Sequence, residues 1–145
     1  MKFKVEIKNK RAVITGLDRF GQEVEKMMAN MLKNKASEIS AEAKRLATVD
    51  FGFLRNSITP EQVSELNWKV EAKASYAPYV EFGTGKMVEV PDEWVDLAMQ
   101  FKGKGIREVN LPARPYMYPA FIKGSQMIEK DTKVELKRLT DKFNR

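Results

Sequence analysis

The chain begins with a strict alternation: Phe3, Val5 and Ile7 fall on one side and Lys2, Lys4, Glu6 and Lys8 on the other. That is the period-two pattern of a half-buried strand. Asn9-Lys10 is expected to turn it back, and Arg11 to Thr15, carrying Val13-Ile14, to form the second strand of a hairpin that Gly16 ends. The period then changes. From Asp18, read as an N-cap, to about Ala47, the residues Phe20, Val24, Met27, Met28, Met31, Leu32, Ile39, Ala43 and Leu46 recur at spacings of three and four. This predicts a long amphipathic helix, free of Pro and rich in the good helix formers Ala, Glu, Lys and Met.

Period two returns over residues 66–75, where Leu66, Trp68, Val70, Ala72 and Ala74 oppose Asn67, Lys69, Glu71, Lys73 and Ser75. A strand over 53–59 is expected to pair with it across a turn at Pro60-Glu61-Gln62, since Pro interrupts a hydrogen-bonded ladder. Pro78 can open, and Gly83 close, a short helical segment around Tyr79-Val80-Glu81-Phe82. Pro91 to Phe101 reads as a second short helix, with Asp92 and Glu93 in its first turn and Trp94, Leu97, Ala98 and Phe101 at helical spacing. Lys102-Gly103-Lys104-Gly105 is expected to be a basic loop and Ile106 to Leu111 an edge strand. From about Pro115 to Phe143, Phe121, Ile128, Leu136, Leu139 and Phe143 interleave with lysines in a final helix. The expected fold is α+β. A small antiparallel sheet packs against the long N-terminal helix and the C-terminal helix in one domain over 1–145, and 86–110 form a protruding loop and short helix.

Composition removes many chemistries. The 145 residues include no Cys and no His, which excludes thiol nucleophiles, thiolate or imidazole metal ligands and imidazole acid–base catalysis. The N-terminal alternation contains no apolar core of signal-peptide length, and no apolar run approaches the roughly 20 residues needed to span a bilayer. No secretory signal and no membrane partner are therefore expected. The net charge of +6 permits contact with an acidic surface, but Lys and Arg alternate with Asp and Glu along nearly the whole chain. A solvated mixed-charge surface is the preferred reading over a dedicated DNA groove, with DNA kept as a neighbour.

The local motifs that suggest chemistry do not complete. Gly83-Thr84-Gly85-Lys86 lacks the Gly that a phosphate loop needs at Val80 and the Ser or Thr it needs at Met87. A dinucleotide fingerprint fails at Val88. The pairs Asp92/Asp96 and Glu89/Glu93 sit one helical turn apart without a third ligand and read as solvated charges. Met27, Met28 and Met31 are core or interface filler. Tyr76, Tyr79, Phe82, Tyr116, Tyr118 and Phe121 crowd two Pro-containing segments, as expected of loops pinned to a core by aromatic rings. No catalytic residue, cofactor or metal ligand is expected.

Three longer segments occur in order: Thr48-Val49-Asp50-Phe51-Gly52-Phe53-Leu54-Arg55-Asn56-Ser57-Ile58, then Ala74-Ser75-Tyr76-Ala77-Pro78-Tyr79-Val80-Glu81-Phe82-Gly83-Thr84-Gly85, then Pro112-Ala113-Arg114-Pro115-Tyr116-Met117-Tyr118-Pro119-Ala120-Phe121. Over roughly residues 20–145 this resembles the minor tail-component family of siphophages and their prophages. In that family a long helix leads to a D-T-G-x-L-R-x-S-like turn and strand, then Y-A-x-Y-V-E-F-G-T, then A-R-P-F-x-x-P-A ahead of a terminal helix. Phe51 departs from the family's usual Thr, and Tyr116 from its commoner Phe.

The resemblance implies a structural role at the neck or upper tail of a phage particle, in tail completion or head–tail joining. It implies an oligomeric ring around the DNA channel, with other copies of the chain and other neck or tail proteins as partners, located in the virion and in the host cytoplasm during assembly. The residues expected to matter are architectural: Asp50, Gly52, Leu54 and Arg55; Tyr76, Tyr79, Glu81, Phe82, Gly83 and Thr84; Arg114, Pro115, Tyr116 and Pro119. Gly52 is expected to allow a sharp turn from the long helix into a strand whose buried face begins at Leu54. Glu81 is expected to pair with Arg55 or Arg114, because a partly buried carboxylate needs a partner. Met87, Val88, Val90 and Trp94 are the expected subunit contacts. The alternative function is a DNA-binding accessory protein, whose binding would weaken steeply with salt; an enzyme ranks third, for want of a nucleophile–base pair.

Overall fold

The computed structural model describes residues 10–48, 52–100 and 110–145. Helix α1 spans Lys10–Leu46, α2 Gly52–Ser57, strands β1 and β2 Ile58–Ser64 and Asn67–Ala72, α3 Ala77–Phe82, α4 Val95–Met99 and α5 Met117–Phe143. Short 3-10 turns occupy Gly85–Met87 and Asp92–Trp94. The fold is α+β, mostly helical, with one two-stranded antiparallel sheet among the described residues.

Helices α1 and α5 run antiparallel. Phe20 meets Phe143 edge to face at 5.3 Å, the Thr132 hydroxyl, bonded to the Ile128 carbonyl, lies 3.3 Å from Met31 Sδ, and Lys123 reaches Glu42 at 3.1 Å. Lys35, buried in this seam, donates to Glu38 at 2.7 Å and to Asp131 at 2.8 Å. Those bonds, Asp131's first, raise the Lys35 ammonium above its usual range. The two helices pack closely at Gly124, where an added Cβ would strike the side chain of Ile39. Small residues permit this: Ala43 and Ala120 are almost completely buried.

The hairpin and the α2 and α3 segments lie over the C-terminal half of α1. Ile39, Ala43, Ala47, Leu54, Ile58, Ala74, Ala77, Tyr116 and Ala120 form one core. Leu54 and Ile58 are fully buried, worth about 2 kcal/mol each.

Four expectations about local structure are corrected. The strand over Arg11 to Thr15 is helix, and neither Gly16 nor Asp18 begins or ends anything, since α1 runs through both. Ile14, Leu17 and Phe20 continue the three- and four-residue spacing, and a two-residue apolar pair is too short to outweigh it. The expected strand at 2–8 lies outside the described residues, as do Asp50, Lys102 to Gly105 and most of the expected edge strand. Asn110 and Leu111 are in neither helix nor strand.

The strand expected over 53–59 is instead helix α2, with β1 starting only at Ile58. Leu54 and Ile58, four apart and both buried, suit a helical turn as well as they suit alternation. Gly52 opens that helix without a positive φ, and a Cβ there would meet open space, so no sharp glycine turn leads into a strand.

Pro60 is not in the turn. It sits within β1 opposite Val70, while the chain reverses at Glu65-Leu66. The Lys73 N–H donates to the Ser57 carbonyl at 3.1 Å. Counting from that bonded pair, antiparallel alternation makes Pro60 and Val70 a non-hydrogen-bonded pair, where a missing N–H costs the ladder nothing.

Candidate functional site

The second and third sequence motifs meet at the N-terminus of α5. Pro78 stands in the first turn of α3 and Gly83 follows its last residue with φ of 76°. An added Cβ at Gly83 would lie 2.8 Å from both the Ala113 nitrogen and the Leu111 oxygen, and would overlap the Met87 oxygen. Only glycine fits there, both for the left-handed backbone and for the close approach of three strands of chain.

One residue back from Phe82, Glu81 is 4% exposed. Its Oε2 accepts the N–H of Tyr116 at 2.8 Å and of Met117 at 2.9 Å, and its Oε1 accepts the N–H of Tyr118 at 2.9 Å. These are the first donors of α5, which no residue of the helix itself can satisfy. The next residue is Pro119, which has no N–H to satisfy. The helix start is thereby complete: three donors go to one carboxylate and the fourth position is Pro. The negative charge also faces the positive end of the helix dipole.

Further bonds close the junction. The Arg114 N–H donates to the Val80 carbonyl at 2.8 Å and the Thr84 N–H to the Leu111 carbonyl at 2.9 Å. The Leu111 N–H returns to Thr84 Oγ1 at 2.9 Å, and the Lys86 N–H reaches Asn110 Oδ1 at 2.9 Å. Tyr116 is 1% exposed, with its hydroxyl 3.5 Å from the Ala77 carbonyl. Burial, aided by the charge of Glu81, pushes its phenol well above the ordinary tyrosine range. The segment that follows α3 is held by the Trp94 ring, which meets Tyr118 at 5.2 Å and Phe82 and Phe121 each at 6.2 Å.

The expected partner of Glu81 is therefore corrected. Arg55 and Arg114 are not its partners: Arg55 is exposed, and the three bonds to the carboxylate all come from backbone. Backbone donors at a helix end serve the same electrostatic purpose, without the cost of burying a guanidinium. The missing signal was indirect: the run Pro115-Tyr116-Met117-Tyr118-Pro119 starts a helix with no Ser, Thr, Asp or Asn at its cap, and Tyr116 makes no side-chain cap bond. A remote acceptor was required.

The first motif does not reach this junction. Leu54 joins the core beside Tyr116, and Phe53 meets Tyr76 at 6.4 Å. Tyr79 and Pro115 are exposed. Among the residues expected at a subunit contact, Met87 and Val88 are exposed and Val90 and Trp94 half-buried, the Trp94 ring turned inward.

Among the described residues, no group of three acidic residues could hold a metal, and no helix is long and apolar enough to cross a membrane. The buried carboxylate of Glu81 commits both oxygens to backbone. Such a site holds pieces of chain together, an arrangement that suits an architectural component. Residues 11–83 match the family described as "Bacteriophage HK97-gp10, putative tail-component". The chain belongs to this HK97-gp10-like family, and its role is that of a structural component of a phage tail. The match takes in α1 through Gly83, and the third motif lies outside it. No curated protein and no solved structure matches the chain.

Proposed function

We propose that this tail component acts in tail completion or head–tail joining, as one subunit of a ring around the channel through which DNA passes. The observation that carries the reading is the junction centred on Glu81. It fastens the segment from Gly83 to Trp94 onto the start of α5 through backbone hydrogen bonds and an aromatic cluster. A segment so anchored, with Met87 and Val88 exposed at 47% and 51%, suits contact with a neighbouring subunit or another neck or tail protein. The chain is read as one domain throughout.

Light scattering and negative-stain microscopy of the purified protein, alone and with the tail-tube protein, test this reading. Rings are expected in the mixture. A chain that stays monomeric at every partner ratio rules the ring out. Met87→Glu with Val88→Glu should prevent assembly while leaving the circular dichroism of the free chain unchanged.

A further inference from the structure

Helix α1 sorts its charges by face. At 3.6 residues per turn, Arg19, Lys26, Lys33 and Lys44 fall within roughly 40° of one another. The residues that meet α5, among them Phe20, Met31 and Glu42, lie on the other side of the helix. The helix's five carboxylates, Asp18, Glu23, Glu25, Glu38 and Glu42, all fall outside the cationic arc. Three of the four cations are exposed and Lys44 is half-buried. None of them forms an ion pair among the described residues. The residues between them on this face are Gln22, Asn30 and Ser37, polar and exposed, and Ser40, buried beside the Ile58 carbonyl of β1. Glu23, one turn from Arg19 and Lys26, borders the stripe, and Lys35 and Arg45 lie elsewhere on the helix, but the other carboxylates are separated from these four cations in space.

We propose that this face of α1 binds the phosphate backbone of duplex DNA without sequence preference. The exposed stripe from Arg19 to Lys33 runs about 21 Å with its cations spaced about 10 Å apart, and half-buried Lys44 extends the line to about 37 Å, close to one turn of duplex. Arg, Lys, Ser, Asn and Gln are the side chains that contact phosphates. A protein partner would want an apolar or aromatic anchor at the centre of its interface, and this face offers none. The inference rests on the ring reading only for its geometry, in that this face would turn toward the channel; the contact itself belongs to the single chain.

The experiment measures binding of the full chain to a random-sequence duplex of about 30 base pairs from low to moderate salt. Two variants of equal charge change are compared: Arg19→Gln/Lys26→Gln/Lys33→Gln on α1, and Lys130→Gln/Lys137→Gln/Lys142→Gln on α5. The α1 variant should lower the slope of log K against log salt by about 3 and weaken binding at least tenfold, while the α5 variant changes little. All six positions are exposed, so matching circular dichroism is expected. Equal losses in both variants, no loss in the α1 variant, or no binding by the parent chain overturns the proposal. Stronger binding to polyglutamate than to DNA overturns it in favour of an acidic protein partner. Ring formation with the tail-tube protein is scored separately on the α1 variant, so that loss of DNA binding and loss of assembly are read apart.

Discussion

The junction around Glu81 and the long α1–α5 pair are held by different physics. The pair is repetitive: apolar and small residues recur at helical spacing, and ion pairs such as Lys133–Glu129 at 2.6 Å lie out in solvent, where they add little. The junction is particular. It depends on one carboxylate, one left-handed glycine and backbone groups from segments more than thirty residues apart. A repetitive interface spreads its stability over many residues, whereas a junction built on buried polar groups concentrates its stability in a few.

The contrast fails if single changes in the junction prove as mild as changes in the pair. Glu81→Ala should have the largest effect, about 4 kcal/mol in urea unfolding, because three N–H groups at the start of α5, one buried and two partly buried, lose their acceptor together. Gly83→Ala follows at about 3 kcal/mol, from left-handed backbone strain plus overlap with Met87, Leu111 and Ala113. A loss below about 1 kcal/mol for either would mean that the junction relaxes around the change.

Two glycines of the helical pair sharpen the contrast, because they should respond with opposite signs. Gly124→Ala places a methyl against Ile39 and should cost about 1–2 kcal/mol. Gly21→Ala, exposed on α1 with nothing nearby, should stabilise by up to about 1 kcal/mol through helix propensity alone. Equal effects from the two would mean that the α1–α5 crossing is looser than its small residues indicate.

The same division explains what could be read from the sequence. The pair was legible: spacing alone placed α5 and most of α1, and alternation placed β2. Where a pattern fits two periods it misled. Val13-Ile14 and the Leu54/Ile58 spacing both suited a strand, and the continuing helix and the burial of a helical turn decided otherwise. The junction's importance was visible in its motifs, but its chemistry was not, because the partners of Glu81 are backbone groups, which carry no residue identity. Charge was misleading in another way. Read linearly it looks mixed, and only winding at 3.6 residues per turn gathers Arg19, Lys26, Lys33 and Lys44 on one side, away from Lys35 and Arg45.

The smallest expected effect concerns the surface charges of the pair. Hydrogen bonds from Arg45 and then from Lys123 hold the Glu42 carboxyl down at about 2, against an ordinary 4.5. Because the folded value is depressed, its contribution is fully present above pH 4.5 and is lost as pH falls through about 2. Glu129, lowered in the same direction by Lys133, should add to the acid slope. Urea midpoints measured between about pH 5 and pH 2 should therefore fall less steeply for Glu42→Gln than for the parent chain, with the remaining slope carried by Glu129 and other carboxylates. Arg45 and Lys123 are 66% and 62% exposed, so added salt should shrink the difference. If the two slopes coincide at low salt, the Glu42 contacts are too loosely held in solution to join the helices, and apolar packing alone sustains the pair.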